Sequence, residues 1–328
     1  MSAGGALLLS ARNLTTTFDT PSGRVRAVDG IDLDLRLGEV VCLVGESGSG
    51  KSVTGLSLMG LIDPPGQVTC ETLDFDGSDL VSLPEAEMDR LRGREMAMIF
   101  QEPLSALNPS RRVGDQIAEV LRIHSLAARA AAMDRAVELL GQVGIPDAGS
   151  RARSYPHQLS GGQRQRVMIA IACICSPKLI VADEPTTALD VTVQAQVLDL
   201  LMDMQARIGS ALLFITHDLG VVAEIADRVV VLYAGQVVEE ADVADLFGSP
   251  AHPYTAGLLA SVPNVDAPRR RGIALPAISG TVPNLLELGP GCRFRDRCGQ
   301  AHDRCAEAPP LIDLARGHRA RCWLHADR

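Results

Sequence analysis

The chain has 328 residues, of which 46 % are hydrophobic but only 3 % aromatic, and a formal net charge of −9. That length supports one large or two ordinary domains around an aliphatic core, and the acidic balance argues against a nucleic-acid binder, which carries a basic excess or patch. No run approaches the ~18 uncharged apolar residues of a membrane-spanning helix. The first residues, MSAGGALLLSARN, lack the basic region and cleavage site of a secretory signal. The expected setting is therefore the cytosol, with any membrane link made through a partner.

In chain order, LLLSARNLTTTF (from Leu7) and VRAVDGIDLDL (from Val25) alternate apolar and polar residues, which predicts antiparallel strands. EVVCLV, ending at Val44, opens a different pattern of apolar strand, loop and helix. Between Pro103 and Gly149 the chain reads as largely helical, with an Ala-rich segment from Ser125. Leu179–Ala182 and Ala211–Ile215 are uninterrupted apolar runs, the mark of strands buried on both faces of a parallel sheet. Helices are expected over Thr192–Ile208 and Asp218–Asp227, and RVVVLYAG with QVVEEA reads as a strand pair pivoting on Gly235. Past His252, Pro, Gly, Arg and Cys rise and strand runs vanish, which predicts a boundary near residues 250–260. The one tight basic cluster, Arg269–Arg271 beside Pro268, reads as a solvated linker rather than a phosphate patch.

Gly45-Glu46-Ser47-Gly48-Ser49-Gly50-Lys51-Ser52 fits G-x-x-x-x-G-K-[ST], with a strand before it and a helix after it. Glycines let successive N–H groups curl toward phosphate oxygens, and the following helix adds its positive end. Lys51 is expected to reach the β- and γ-phosphates and the Ser52 hydroxyl to ligate Mg²⁺. The buried run ending at Asp183 and Glu184 supplies paired acids where a parallel sheet presents its ligands. Asp183 is the candidate Mg²⁺ carboxylate and Glu184 the candidate to polarise an attacking water. The plainer reading, helix capping by these acids, is disfavoured by Pro185.

Leu159-Ser160-Gly161-Gly162-Gln163 follows in the same chain. With this element the chain resembles the nucleotide-binding domain of ATP-binding-cassette (ABC) transporters, whose signature is LSGGQ, over roughly residues 7–250. The resemblance implies an α/β P-loop NTPase fold: a mixed sheet core, an antiparallel β subdomain and an α-helical subdomain at about residues 103–165. It makes Gln101 the Q-loop glutamine and a further Mg²⁺ contact, Ala188-Leu189-Asp190 the D-loop, and His217 the switch histidine. Phe18 matches the adenine-stacking aromatic, although a lone Phe is more often core. Two cassettes then pair head to tail, so that Ser160, Gly161, Gly162 and Gln163 of one chain meet the γ-phosphate held by the other. A soluble ABC ATPase acting on nucleic acid or ribosomes is the rival class. It is disfavoured by the acidity, the single P-loop and the short stretch between Gln101 and Ser160.

Cys42, Cys173 and Cys175 sit in apolar runs and read as core, whereas Cys292, Cys298, Cys305 and Cys322 cluster at C-x5-C-x6-C-x16-C. In a cytosolic chain, clustered cysteine favours metal over disulfides. The tight C-x2–4-C pairs of zinc sites are missing, which leaves an iron–sulfur cluster, a zinc site completed by His302, His318 or His325, or no metal. His252-Pro253-Tyr254-Thr255, SGTVPNL and GCRFRDRC resemble the C-terminal extension (here residues 251–328) of oligopeptide/dipeptide permease ATP-binding subunits. Some of those carry a [4Fe-4S] cluster there. The resemblance implies an importer subunit for peptides, or for nickel or another small solute, peripheral on the cytoplasmic face of the inner membrane. Its partners would be a paralogous ATPase in a heterodimer, two transmembrane permease subunits and, indirectly, an extracytoplasmic solute-binding protein.

Overall fold

The structure, a computed structural model, describes residues 5–187, 189–262, 277–315 and 317–326. Ala188 and the Arg269–Arg271 cluster lie outside the described residues. Two sheets organise the chain. The first is antiparallel: β1 (Leu7–Thr20) and β2 (Gly23–Arg36) pair along their length, β4 (Gly66–Thr69) and β5 (Thr72–Phe75) pair with β1, and β6 (Ser78–Asp79) closes the edge. The second has eight strands. Its parallel centre runs β10 (Arg228–Tyr233), β3 (Val40–Val44), β9 (Ala211–Thr216), β8 (Leu179–Asp183) and β7 (Met96–Ile99). Beyond β10 come β11 (Gln236–Asp242), β13 (His318–Ala320) and β12 (Ile312–Ala315), each antiparallel to its neighbour.

The uninterrupted apolar runs are explained by what covers each face of this sheet. Side chains alternate along a strand. Cys42, Val44, Ile180, Ala182, Leu212 and Phe214 therefore face the helical side, while Val41, Leu43, Val181, Leu213 and Ile215 face the antiparallel sheet. On the helical side lie Val113–Ile123, Arg129–Gln142, Gly161–Cys173 and Val191–Ile208, with the short Pro103–Ala106 before the first in the chain and Ala148–Arg151 between the second and third. On the other side the helix Lys51–Leu58 packs against β1, β2, β8 and β9. Its approach is close at Gly55, where an added Cβ would stand 2.9 Å from Ile215 Cδ1.

Register fixes where chemistry can gather. Val44 pairs with Thr216 and Ile215 with Asp183. The carboxyl ends of β3, β9 and β8 thus finish at one level, the end at which open α/β sheets bind ligands. The β10–β11 hairpin turns on Ala234 and Gly235, with φ of 47° and 86°, as a two-residue primed turn requires.

Two expectations need correction. Strands do not vanish past His252: IDLA and HRA form β12 and β13, and β13 pairs Ala320 with Glu239. Their alternation is too short and too polar to register as strand. Cys42 and Cys173 are buried, but Cys175 is only half-buried.

Charge is also buried here. Arg228, at the head of β10, bonds Glu39 through Nε (2.8 Å), Glu240 through Nη1 (2.5 Å) and the Asp34 carbonyl through Nη2 (2.6 Å). Arg319 of β13 bonds Glu240 from the other side. One guanidinium thus joins β2, β10 and β11. Arg228→Ala leaves two buried carboxylates short of a partner and is expected to cost about 3–5 kcal/mol, read as a lowered urea midpoint.

Candidate functional site

The loop after β3 is shaped by its glycines. Gly45, Gly48 and Gly50 have φ of 153°, 79° and 103°, the region that side-chain-bearing residues avoid. A Cβ at Gly45 would strike the Leu232 carbonyl and one at Gly50 the Ala27 carbonyl, so the loop lies against β10 and β2 with no room to spare. The hairpin tip braces it: Gly235 N donates to Ser49 O (2.9 Å), and Asp29 N donates to Gly235 O (2.8 Å).

Lys51 opens the helix and folds back into this loop. Its Nζ donates to the carbonyls of Gly45 (2.8 Å) and Glu46 (3.0 Å), and the residue is 5 % exposed. Burial pushes its pKa down, against the attraction of Glu184, Asp183 and Glu46. The ammonium is held by neutral oxygens, and among the described residues no carboxylate is in ion-pair contact with it. Among the described residues the buried Ser49 hydroxyl also has no hydrogen-bond partner. A desolvated cation beside an orphaned polar atom is costly unless an anion enters, and a polyphosphate fits both.

At the ends of β8 and β9 the acids converge on this loop. Ser52 Oγ donates to Asp183 Oδ1 at 2.9 Å. Burial raises the pKa of Asp183 and Glu184 adds to the rise, while the Ser52 hydrogen bond and Lys51 oppose it. A hydroxyl beside a carboxylate is the oxygen donor set that Mg²⁺ takes alongside phosphate. Both oxygens of Glu184 are held. Gln101 Nε2 donates to Oε2 at 3.1 Å, Thr187 Oγ1 donates to Oε2 at 2.9 Å, and His217 Nδ1 lies 3.2 Å from Oε1. Glu184 has φ 44°, a strained backbone for a residue with a side chain. Thr187 escaped sequence reasoning, because a threonine three residues into a turn is commonplace.

Ser160, Gly161, Gly162 and Gln163 lie elsewhere, at the start of helix Gly161–Cys173. Ser160 Oγ accepts from Gln163 N (3.3 Å) and Gln163 Oε1 accepts from Ser160 N (3.1 Å), a capping box. Gly162 abuts Val193 closely, where a Cβ would meet Cγ1 at 2.6 Å. Asp190 caps the helix Val191–Ile208 by accepting from Val193 N at 3.0 Å. Ser47 is exposed on the loop. Phe18 is half-buried on β1, paired with Val25 and Gly66, and Val25 lies two residues before Ala27, whose carbonyl Gly50 approaches.

The four C-terminal cysteines line one small, almost wholly apolar cavity together with His252 and Phe294. None is in a disulfide. Burial raises the thiol of Cys292, and pushes that of Cys322 up to about 11. Among the described residues, no three His, Cys, Asp or Glu side chains form a group able to hold a metal ion. His318 Nε2 faces Glu239 (2.8 Å), His325 Nε2 faces the Ala251 carbonyl (2.8 Å) and His302 is exposed. The histidine beside the cavity is instead His252, whose Nδ1 accepts from Tyr254 N and whose pKa burial lowers to about 3.

A P-loop braced at the carboxyl end of a parallel strand, with Asp183 and Glu184 beside it, defines a P-loop ATPase of the cassette type. Residues 28–187 match the family described as ABC transporter, and residues 238–305 match the oligopeptide/dipeptide transporter C-terminal region. The chain is 50 % identical to the oligopeptide transport ATP-binding protein AppD of Bacillus subtilis over 322 residues (98 % of this chain, 97 % of AppD). It is 50 % identical to the dipeptide transport ATP-binding protein DppD of Escherichia coli over 321 residues (98 % and 97 %). Among solved structures, the ADP- and Pi-bound dimer of the cassette MJ0796 aligns with TM-score 0.65 at 28 % identity, covering 72 % of this chain and 99 % of that one. The chain belongs to the ABC transporter ATP-binding proteins, in the branch that carries the oligopeptide/dipeptide C-terminal region. ATP and Mg²⁺ are the ligands of that family.

Lys51→Met removes a buried charge that lacks an ionic partner, so the nucleotide-free protein should melt no lower than the wild type. The thermal stabilisation conferred by MgATP, which scales with ligand concentration over Kd, should fall to that of at least a tenfold weaker ligand. Retention of the full MgATP shift would separate Lys51 from phosphate binding.

Proposed function

We propose that this chain is the ATP-hydrolysing, energy-coupling subunit of a bacterial importer of di- or oligopeptides. It would lie on the cytoplasmic face of the inner membrane beneath two permease subunits. Among the described residues no helix is long and apolar enough to cross a membrane, so the translocation path falls to partners. The observation that carries the reading is full-length similarity to peptide-transport ATP-binding proteins in a chain whose Lys51, Asp183 and Glu184 face one loop. A paralogous ATPase is the expected second cassette and a solute-binding protein the source of cargo.

Gly45, Ser47, Gly48, Ser49, Gly50 and Lys51 hold the phosphates, and Phe18 stacks on adenine. Ser52, Asp183 and Gln101 hold Mg²⁺, which when bound neutralises charge on the phosphates. Glu184 accepts a proton from the attacking water, oriented by Gln101, Thr187 and His217. Ser160, Gly161, Gly162 and Gln163, with Asp190 behind them, complete the site on the partner cassette. The capping box uses the amides of Ser160 and Gln163, and the start of that helix supplies the positive end that would stabilise a γ-phosphate. Glu184→Gln should keep MgATP affinity within a few-fold and lose at least ~100-fold in turnover, assayed in the assembled transporter. Near-normal turnover would remove Glu184 from the role.

The cysteine cavity is read as the seat of a [4Fe-4S] cluster. Four thiols around one dry cavity supply the donor set. Among the described residues no three such side chains group around a single ion, so the reading rests on the four thiols at one cavity and on the likeness of this region to the oligopeptide/dipeptide transporter C-terminal region. Protein purified without oxygen should be brown, with thiolate-to-iron absorption that Cys298→Ser diminishes. Colourless protein with one zinc per chain decides for zinc.

A further inference from the structure

The P-loop has one charged residue besides Lys51, and a distant segment holds it. Glu46 receives Arg297 bidentately, Nη1 to Oε2 at 2.6 Å and Nη2 to Oε1 at 3.0 Å. The Glu46 amide donates to the Tyr254 hydroxyl at 2.8 Å. Both partners belong to the C-terminal region, more than 200 residues away in the chain.

We propose that Arg297 and Tyr254 are positioning residues of the nucleotide site, setting the P-loop's affinity for MgATP by neutralising and orienting Glu46. The inference rests on the reading of residues 45–52 as the phosphate cradle. Arg297 is suited to the task because nothing about it is free to move. Its side chain is 6 % exposed, and its five N–H donors meet five acceptors. Besides the two Glu46 oxygens, these are the Ser279 carbonyl (2.9 Å), the Ile278 carbonyl (3.4 Å) and the Tyr233 hydroxyl (3.4 Å). The guanidinium also lies 5.7 Å from the Tyr233 ring and 5.9 Å from that of Phe294.

Glu46 is where such a brace matters. The Glu46 carbonyl accepts from Lys51 Nζ, and its carboxylate acts on the Lys51 charge through space. Left unpaired, that carboxylate would stand near an incoming polyphosphate and repel it. Paired with Arg297, its charge is neutralised and its position fixed. A second arginine of the same segment works alongside: Arg293 donates to the Ala234 carbonyl and to Asp29, gripping the hairpin tip whose Gly235 amide holds Ser49. Arg293 follows Cys292 and Arg297 precedes Cys298. The segment that lines the cysteine cavity therefore sends one side chain to each side of the P-loop.

The test is equilibrium titration of full-length protein with a fluorescent ATP analogue and Mg²⁺, which needs no turnover. Arg297→Ala should weaken binding about tenfold, and adding Glu46→Gln to it should restore affinity to within about threefold of wild type, since the unpaired charge is then gone. Tyr254→Phe, which keeps the ring packing and loses the acceptor for the Glu46 amide, should weaken binding by a few-fold. Melting temperatures without nucleotide separate these effects from unfolding. If Arg297→Ala binds as the wild type does, or if the double variant is as weak as the single, the inference is overturned. Should the wild type itself fail to bind nucleotide, the cradle reading fails first.

Discussion

An ammonium group that has left water and, among the described residues, makes no ion pair is the constraint around which the Gly45–Ser52 loop is built. Lys51 spends its donors on two carbonyls of its own loop, and burial lowers its pKa. Such a group is tolerable only if the surrounding backbone is held rigidly around it and an anion can arrive. The rigidity comes from three sides. The left-handed glycines let the loop press against β2 and β10, the hairpin tip at Gly235 ties down Ser49, and Gly55 lets the helix that carries Lys51 settle onto β8 and β9. Each contact involves backbone, so the cradle is formed before a ligand enters and little reorganisation is left for binding.

The acids are arranged by the same economy. Register brings the ends of β3, β9 and β8 to one level, and two carboxylates side by side at β8 receive different treatment. Asp183 is buried against the Ser52 hydroxyl, a place for a metal. Glu184 is pushed into a left-handed backbone, where Gln101, Thr187 and His217 fix both its oxygens. The three come from different segments, so the orientation of Glu184 reports on all of them. The Gln101 and His217 loops touch the same carboxylate, so rearrangement at either would reorient Glu184.

What could be read from the sequence follows the range of the interactions involved. The Gly45–Ser52 loop, the Asp183–Glu184 pair and the LSGGQ helix start are local: residue types at fixed spacing dictate turn, strand end and capping box. The buried parallel strands were legible because two covering layers leave no polar alternation. The Arg297–Glu46 pair was not, since no local rule links residues so far apart, and an Arg beside a Cys looks like any solvated loop. Thr187 was hidden by its ordinariness. The strands β12 and β13 were hidden because they are only four and three residues long and because pairing with their neighbours, with β13 set against β11, rather than their own apolar content, makes them strands.

The C-terminal region is thereby part of the fold that holds the site. Buried Glu239 of β11 accepts from the Ala251 and His252 amides and faces His318, while its neighbour Glu240 is shared by Arg228 and Arg319. Two adjacent carboxylates of the cassette sheet thus depend on donors that lie past residue 250. On the opposite side Tyr233, Tyr254 and Phe294 pack ring against ring, with centroids 4.7–5.4 Å apart, and Phe294 also lines the cysteine cavity. From that cavity to the P-loop the path is one aromatic cluster and one guanidinium. Close packing along that path leaves the position of Arg297 dependent on the C-terminal segment as well as on the loop it holds.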